Sequence, residues 1–237
     1  MFWKGAIRMG GNKSLSPQVY VTGISYDTAP LSIREGLSIP KSRIPEALEQ
    51  LGSHVGGGVI LATCNRTEIY YVGDDRNSPA EPITDFFCVW SGLPREQLAS
   101  HLHTEQGLDA VRHLTETASG LCSMIVGEWE IQGQVRRAFN TAEQAGMLDP
   151  LLKKAFLHAI RVGGRVRDET DISRNALSVS SVAVNLATKA VGDVHNSRVV
   201  LIGAGEAGKL VARAFAQRGV DQLSVINRSL DCAGELA

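Results

Sequence analysis

The residues Arg198-Val199-Val200-Leu201-Ile202 run directly into Gly203-Ala204-Gly205-Glu206-Ala207-Gly208. A compact β-branched run of this kind suits a buried parallel strand. Lys209 to Arg218 then has helical periodicity, and Gln222 to Ile226 reads as a second strand. A G-x-G-x-x-G turn between a strand and a helix, with a strand returning, limits this part of the chain to a βαβ unit of the dinucleotide-binding kind. Gly203 permits the tight turn. Gly205 lets the backbone approach a pyrophosphate, which the helix N-terminus attracts, and Gly208 lets helix and strand pack closely. The bland alternative is a structural glycine turn. The second strand ends in Asn227-Arg228-Ser229. An acid there would favour NAD, whereas an arginine pairs with a 2′-phosphate and favours NADP, unless Arg228 is only a solvated surface residue.

The second informative stretch is Leu61-Ala62-Thr63-Cys64-Asn65-Arg66-Thr67-Glu68. Cys64 sits at a tight turn between the β-rich runs Val59 to Ala62 and Ile69 to Val72. A thiol at a turn is accessible, and a nearby cation such as Arg66 favours the attacking thiolate. A small buried core residue is the other reading of a free cysteine.

Composition narrows the class. The chain has 237 residues, 24 Lys plus Arg, 25 Asp plus Glu and a formal net charge of -1. That balance announces no nucleic-acid or membrane partner, although charge can be segregated locally. Arg136 to Arg167 does segregate it: Arg136, Arg137, Lys153, Lys154, Arg161, Arg165 and Arg167 stand against only Glu143 and Asp149. Such helices either meet a phosphate backbone or present a solvated face. The 4 cysteines are far apart, with no C-x-x-C pair, which argues against a zinc site and against a disulfide scaffold and points to a reducing compartment. His101 and His103 are spaced to share one side of a strand, but no cysteine or carboxylate cluster accompanies them, so no metal ligands are expected. No stretch is apolar enough to span a membrane. The basic opening, Met1 to Met9, lacks a signal-peptide core, and Gly10 to Ser14 reads as flexible, with Met9 as an alternative start.

Val19 to Tyr26 alternates like a strand and stops at the turn Asp27-Thr28-Ala29-Pro30. Pro45 opens a helix with Ala47, Leu48 and Leu51 on one face. Pro82 to Trp90 is a second helix, and the β-α-β-β-α order suggests a small split α+β sandwich. From Leu108 the chain is mostly helical: Leu108 to Leu121, Glu128 to Ala145, Leu151 to Arg167, and a connector from Ala176 to Val191. His113 is either a general acid or base or a packed histidine. Glu128 fits a first helical turn, while Gln132 and Gln134 can line a site. The resulting class is α/β. Residues 1–17 form a disordered leader, 18–172 an α+β split-sandwich catalytic domain with helices, 173–195 a long connector helix, and 196–237 the start of a Rossmann-type NADP-binding domain.

The ordered motifs resemble the glutamyl-tRNA reductase family. They are Gly23-Ile24-Ser25-Tyr26-Asp27-Thr28-Ala29-Pro30 with Arg34-Glu35, then Thr63 to Glu68, His113-Leu114, Ala118 to Leu121 and Gly127-Glu128 with Ile131 to Val135. Arg165 to Thr170, Ser178-Val179-Ser180-Ser181 and the glycine turn through Asn227-Arg228 follow in order. The resemblance implies that Cys64 attacks the ester of glutamyl-tRNA(Glu), leaving a thioester that NADPH reduces to glutamate-1-semialdehyde for tetrapyrrole synthesis. It implies Arg66 as anchor for the substrate carboxylate and His113 as the group for proton transfer or polarisation. Thr63, Asn65 and Glu68 would shape the substrate site with Glu128, Gln132 and Gln134, and Gly203, Ala204, Gly205, Glu206, Ala207, Gly208, Asn227 and Arg228 would hold the cofactor. It also implies a homodimer in the full-length protein and channelling to glutamate-1-semialdehyde aminomutase. The expected location is cytoplasmic, or a plastid if the basic leader belongs to a transit peptide.

This chain departs from the family at several positions. Tyr26-Asp27 stands for the usual His-Lys, Cys122 for Asp, Trp129 for Pro or Thr, Gly164 for Lys and Asn185 for Glu. Only about forty residues follow Ser197, whereas a dinucleotide domain needs on the order of 150. The expectation is therefore an N-terminal part of a longer protein, with a folded catalytic domain and an unstable cofactor half. The rival readings are a non-reducing fragment that binds or deacylates glutamyl-tRNA and a thiol-dependent NADP aldehyde dehydrogenase, the latter having no use for the basic segment.

Overall fold

The computed structural model describes residues 17–73, 80–173, 179–234 and 236. The leader as far as residue 16, Ser178 and the expected Ala176 start of the connector lie outside the described residues.

Every residue from Val19 to Ser25 is buried in the first strand, β1 (Gln18–Ser25), as its β-branched and aromatic content favours. The chain then turns where expected, with the N–H groups of Thr28 and Ala29 donating to the Ser25 carbonyl at 3.2 and 3.0 Å. Helix α1 (Leu31–Gly36) and a short 3-10 turn lead into α2 (Ile44–Val55), which has proline in its first turn and buries Ala47, Leu48 and Leu51. Strands β2 (Val59–Ala62) and β3 (Arg66–Gly73) form a hairpin; α3 (Glu81–Ser91) and α4 (Arg95–Ala99) lead to β4 (His103–Gln106). The antiparallel sheet runs β2-β3-β1-β4.

This is the split arrangement expected, with β4 added to the β-α-β-β-α order. Two differences matter for the site. β3 begins at Arg66 rather than Ile69, so Arg66 and Glu68 belong to the sheet and not to the turn. His101 precedes β4, its Nδ1 2.9 Å from the Thr28 carbonyl oxygen, so it does not share a strand face with His103.

Helices α5 (Leu108–Ser119), α6 (Glu130–Gln144) and α7 (Pro150–Glu169) close over the sheet. Tyr70 of β3 meets Phe156 of α7 edge-on at 5.2 Å, and Phe156 stacks on Phe139 of α6 at 6.1 Å. The Asp149 carboxylate caps α7, accepting from the Leu151 N–H at 2.6 Å, which satisfies one of the orphan donors at a helix start.

Beyond residue 178 come α8 (Val179–Val191), β5 (Arg198–Ile202), α9 (Glu206–Ala216), β6 (Gln222–Ile226) and α10 (Leu230–Gly234). β5 and β6 pair in parallel, as the glycine turn between strand and helix requires. A separate small core of Val184, Val194, Phe215 and Val220 packs against Val199 and Leu223. β5 is not the buried strand expected. Val200 and Ile202 on its other face are 57% and 82% exposed, because helices cover only one face of this two-stranded sheet. Among the described residues, no helix is long and apolar enough to cross a membrane.

Candidate active site

Cys64 is exposed in the link between β2 and β3. Thr63 builds that link: its Oγ1 accepts the N–H groups of Asn65 and Arg66, both at 3.1 Å, and its own N–H donates to the Arg66 carbonyl at 2.8 Å. Arg34 of α1 clamps the link from outside. Its Nη1 donates to the Cys64 carbonyl at 3.0 Å and its Nε to the Ala29 carbonyl at 3.2 Å. A cavity of about 50 Å³ opens beside the thiol. Thr63, Cys64, Asn65, Arg66, Glu128 and Gln134 line it, all six expected from sequence; Ser123, Glu130 and Ile131 complete it.

The electrostatics of Cys64 differ from the expectation. Partial burial pushes the thiol up, and Glu128 and Glu130 push it further, while a backbone hydrogen bond and Arg34 pull it down. The cation that favours the thiolate is thus Arg34, thirty residues upstream, and not Arg66. Arg66 is 3% exposed and turned inward. Removing the clamp with Arg34→Met is expected to slow iodoacetamide alkylation of Cys64 severalfold at neutral pH and to move its pH profile to the alkaline side, since less thiolate then forms at a given pH. Alkylation rates measured against pH check this.

Arg66 leads to a second, buried cluster. Its Nη1 donates to Glu68 Oε1 at 2.8 Å and Thr117 Oγ1 at 3.1 Å, and its Nη2 donates to the Cys122 carbonyl. Glu68 is fully buried. The Tyr70 hydroxyl donates to its Oε2 at 2.7 Å, and His113 Nε2 lies 3.0 Å from its Oε1. Burial alone would raise this carboxyl. The hydrogen bond from His113, the Arg66 charge and the Tyr70 hydroxyl outweigh burial and hold it at about 2.

Strand register makes the space for this cluster. Gly23 of β1 pairs with Glu68 on one side and His103 on the other. A Cβ at Gly23 would lie 2.3 Å from the Thr67 carbonyl oxygen and 2.6 Å from Glu68 Cα, so only glycine fits between them.

Three expected residues sit elsewhere: Glu68 is in the buried cluster and not on the cavity wall, and Gln132 and His113 are also displaced. Gln132 faces α7, its Nε2 donating to the Ile160 carbonyl at 3.1 Å. His113 is not at the cavity wall but behind it, joined through Glu68 and Arg66. The structure also brings in Arg34, Ser123, Glu130 and His103, which sequence reasoning did not place at the site. Arg34 had a signal, since it lay within a matched motif. In the basic segment, Arg136, Arg137, Lys154 and Arg161 are exposed. Lys153 pairs with Glu143, Arg165 with Glu169, and Arg167 is spent on the carbonyls of Ala118, Gly163 and Glu128.

At the glycine turn, Gly203 N–H donates to the Ile226 carbonyl at 2.7 Å and Ala204 N–H to Asn227 Oδ1 at 3.3 Å, tying the turn to the end of β6. Ala207 follows Glu206, the first residue of α9, and Arg228 is exposed beyond β6.

The family described as "Glutamyl-tRNAGlu reductase, N-terminal domain" matches residues 22–170, from β1 through the whole of this site. The chain belongs to the glutamyl-tRNA reductase family. The glutamyl-tRNA reductase of Thermosynechococcus vestitus is 40% identical over 92% of this chain and 52% of its own length. That of Bacillus subtilis is 39% identical over 92% of this chain and 49% of its own length. Among solved structures, glutamyl-tRNA reductase from Methanopyrus kandleri matches at a TM-score of 0.61 and 38% identity, covering 92% of this chain and 51% of that one. The chain spans about half the length of the curated relatives it matches. Residues 185–237 match the family described as "Shikimate / quinate 5-dehydrogenase", a dehydrogenase match that agrees with the βαβ turn.

Proposed function

We propose that this chain carries the acyl-transfer site and the start of the cofactor domain of an NADPH-dependent glutamyl-tRNA reductase. The supporting observation is the exposed Cys64 thiol, on a clamped turn beside a small polar cavity, inside the segment that matches the family. Cys64 Sγ attacks the ester carbonyl of glutamyl-tRNA(Glu). A C–S bond forms, the C–O bond to the terminal ribose breaks, and the thiol proton passes to the departing ribose oxygen. Glu128 lines the same cavity, and burial pushes its carboxyl up. It is the carrier we assign to that proton, since a raised carboxyl is the better base. Thr63 and Asn65 shape the cavity with Gln134. Arg66 is the basic group at its wall for the substrate carboxylate, and engaging it draws Nη1 off Thr117 or Glu68. His113, held by Glu68, is the further group for proton transfer.

The glycine turn fits a dinucleotide. A Cβ at Gly208 would lie 2.2 Å from the Gly203 carbonyl oxygen, so glycine alone closes the turn, while nothing lies within 4 Å of a Cβ at Gly205. The turn from Gly203 to Gly208 would hold the pyrophosphate, and Arg228 with Asn227 the 2′-phosphate end. NADPH, when bound, supplies the hydride that reduces the thioester to glutamate-1-semialdehyde, the first committed product of five-carbon tetrapyrrole synthesis. Arg136, Arg137, Lys154 and Arg161 are the surface we assign to the tRNA backbone. The same reading has the whole protein as a cytoplasmic homodimer that hands its reactive aldehyde to glutamate-1-semialdehyde aminomutase.

The test is a single-turnover mixture of the chain with glutamyl-tRNA(Glu) carrying labelled glutamate, quenched in acid. The expected result is label on the protein that hydroxylamine releases, as a thioester requires. Label that never leaves the tRNA would end the proposal.

A further inference from the structure

We propose that Glu68, His103 and His113 form a binding site for a divalent cation of the zinc class. His103 is the observation that asks for a partner. Neither of its ring nitrogens makes a hydrogen bond, and both atoms are buried. A buried polar group without a partner is rare and costly, and a bound water or ion is the usual account of one. The imidazole is also hemmed in: its ring centroid is 5.4 Å from that of His113.

The donor set and spacing favour an ion. One Glu68 oxygen and one nitrogen of each histidine all lie within 4.8 Å of one another. Two imidazoles and a carboxylate are a ligand set that zinc takes. Ligand atoms at ordinary bond lengths around a tetrahedral zinc ion are about 3.4 Å apart. Glu68 Oε1 is 3.0 Å from His113 Nε2 and 3.8 Å from His103 Nε2, so the observed separations bracket that value. Small rotations of the two rings complete the geometry. The fold, not the local sequence, supplies the carboxylate that His103 lacks among its neighbours in the chain.

Arg66 sets the strength of the site. Its Nη1 now shares Glu68 Oε1 with His113, and it keeps Thr117 and the Cys122 carbonyl when a cation takes that oxygen. Glu68 is already balanced by Arg66, so the ion brings uncompensated positive charge into a mostly buried place. The affinity is therefore weaker than that of a structural zinc site, and the ion is a regulator rather than a resident. Bound there, it occupies the His113 nitrogen. Inhibition of acyl transfer follows from that, and only this consequence rests on the function proposed above.

The test titrates the metal-free chain with Co²⁺ and then competes with Zn²⁺. The expected result is one cobalt per chain, visible d–d bands without a thiolate charge-transfer band, and displacement by zinc. His103→Phe is expected to weaken cobalt binding about tenfold or more, and Cys64→Ser to leave it unchanged. Circular dichroism confirms that each variant is folded, and His103→Asn repeats the test if the phenylalanine variant is not. The site is disproved by bands of full strength in a folded His103 variant, by a thiolate band that disappears in Cys64→Ser, or by no binding at millimolar cobalt.

Discussion

Cys64→Ser is expected to lower glutamyl transfer onto the protein by on the order of 10⁴-fold or more, while Cys122→Ser changes it little. Serine keeps the shape of the turn, including the Thr63 and Arg34 bonds, which fall on backbone atoms around residue 64. What changes is the atom that attacks. A hydroxyl is a far weaker acid and nucleophile than a thiol, and a carboxylate such as Glu128 is too weak a base to activate a serine. An oxygen ester, if formed, also resists the reduction that a thioester allows. Cys122 is the control because it is a half-buried thiol close to Arg66, and it contributes a carbonyl rather than its sulfur to that contact. The raised thiol of Cys64 adds a pH dependence: little thiolate forms at neutral pH, so acylation rises as pH climbs toward the thiol's value and levels off above it. Quantifying hydroxylamine-labile glutamate on each variant, across pH, reads both effects. Equal acylation by Cys64→Ser and the native chain would remove Cys64 from the chemistry.

Glu68→Ala is expected to destabilise the N-terminal domain by about 3–5 kcal/mol. The variant leaves the Arg66 guanidinium, 3% exposed, without its counter-ion, and strips Tyr70 and His113 of their shared acceptor. For a domain of this size that lowers Tm by about 10 °C. Glu68→Gln keeps the shape and one acceptor and is expected to cost about 2 kcal/mol. The same carboxyl makes the domain acid-labile. Its folded value is about 2 against an ordinary 4.5, so its contribution is complete above pH 4.5 and is lost as pH falls toward 2. The gap corresponds to about 3 kcal/mol. Thermal melts by circular dichroism between pH 2 and pH 7, in metal-free buffer, test both statements. A Glu68→Ala variant that melts with the native chain, or an acid midpoint identical in the two, would show that the cluster does not hold the fold.

The local pattern is legible in the sequence wherever one element carries its own signal. β2, β5 and β6 fall where the apolar runs place them, and the prolines and Asp149 mark helix starts. The failures share one cause. β3 starts three residues early, because Arg66 and Glu68 look like turn residues along the chain and become strand residues only when paired with Ser25 and Gly23. β5 reads as buried from its composition, yet burial depends on what covers each face. Gln132 has the spacing of a site residue but is claimed by Ile160 of another helix.

The sequence by itself determined the family, the cysteine turn, the glycine turn and most residues of the cavity wall, since these sit in short contiguous motifs whose chemistry and spacing are readable in one dimension. Only the tertiary structure decided which cation serves Cys64, what Arg66 is bound to, and that Glu68, His103 and His113 meet. Most of those pairings join residues thirty to fifty-six positions apart, through strand register and a glycine that yields its side-chain space. Neither register nor empty space is visible until the strands are laid side by side.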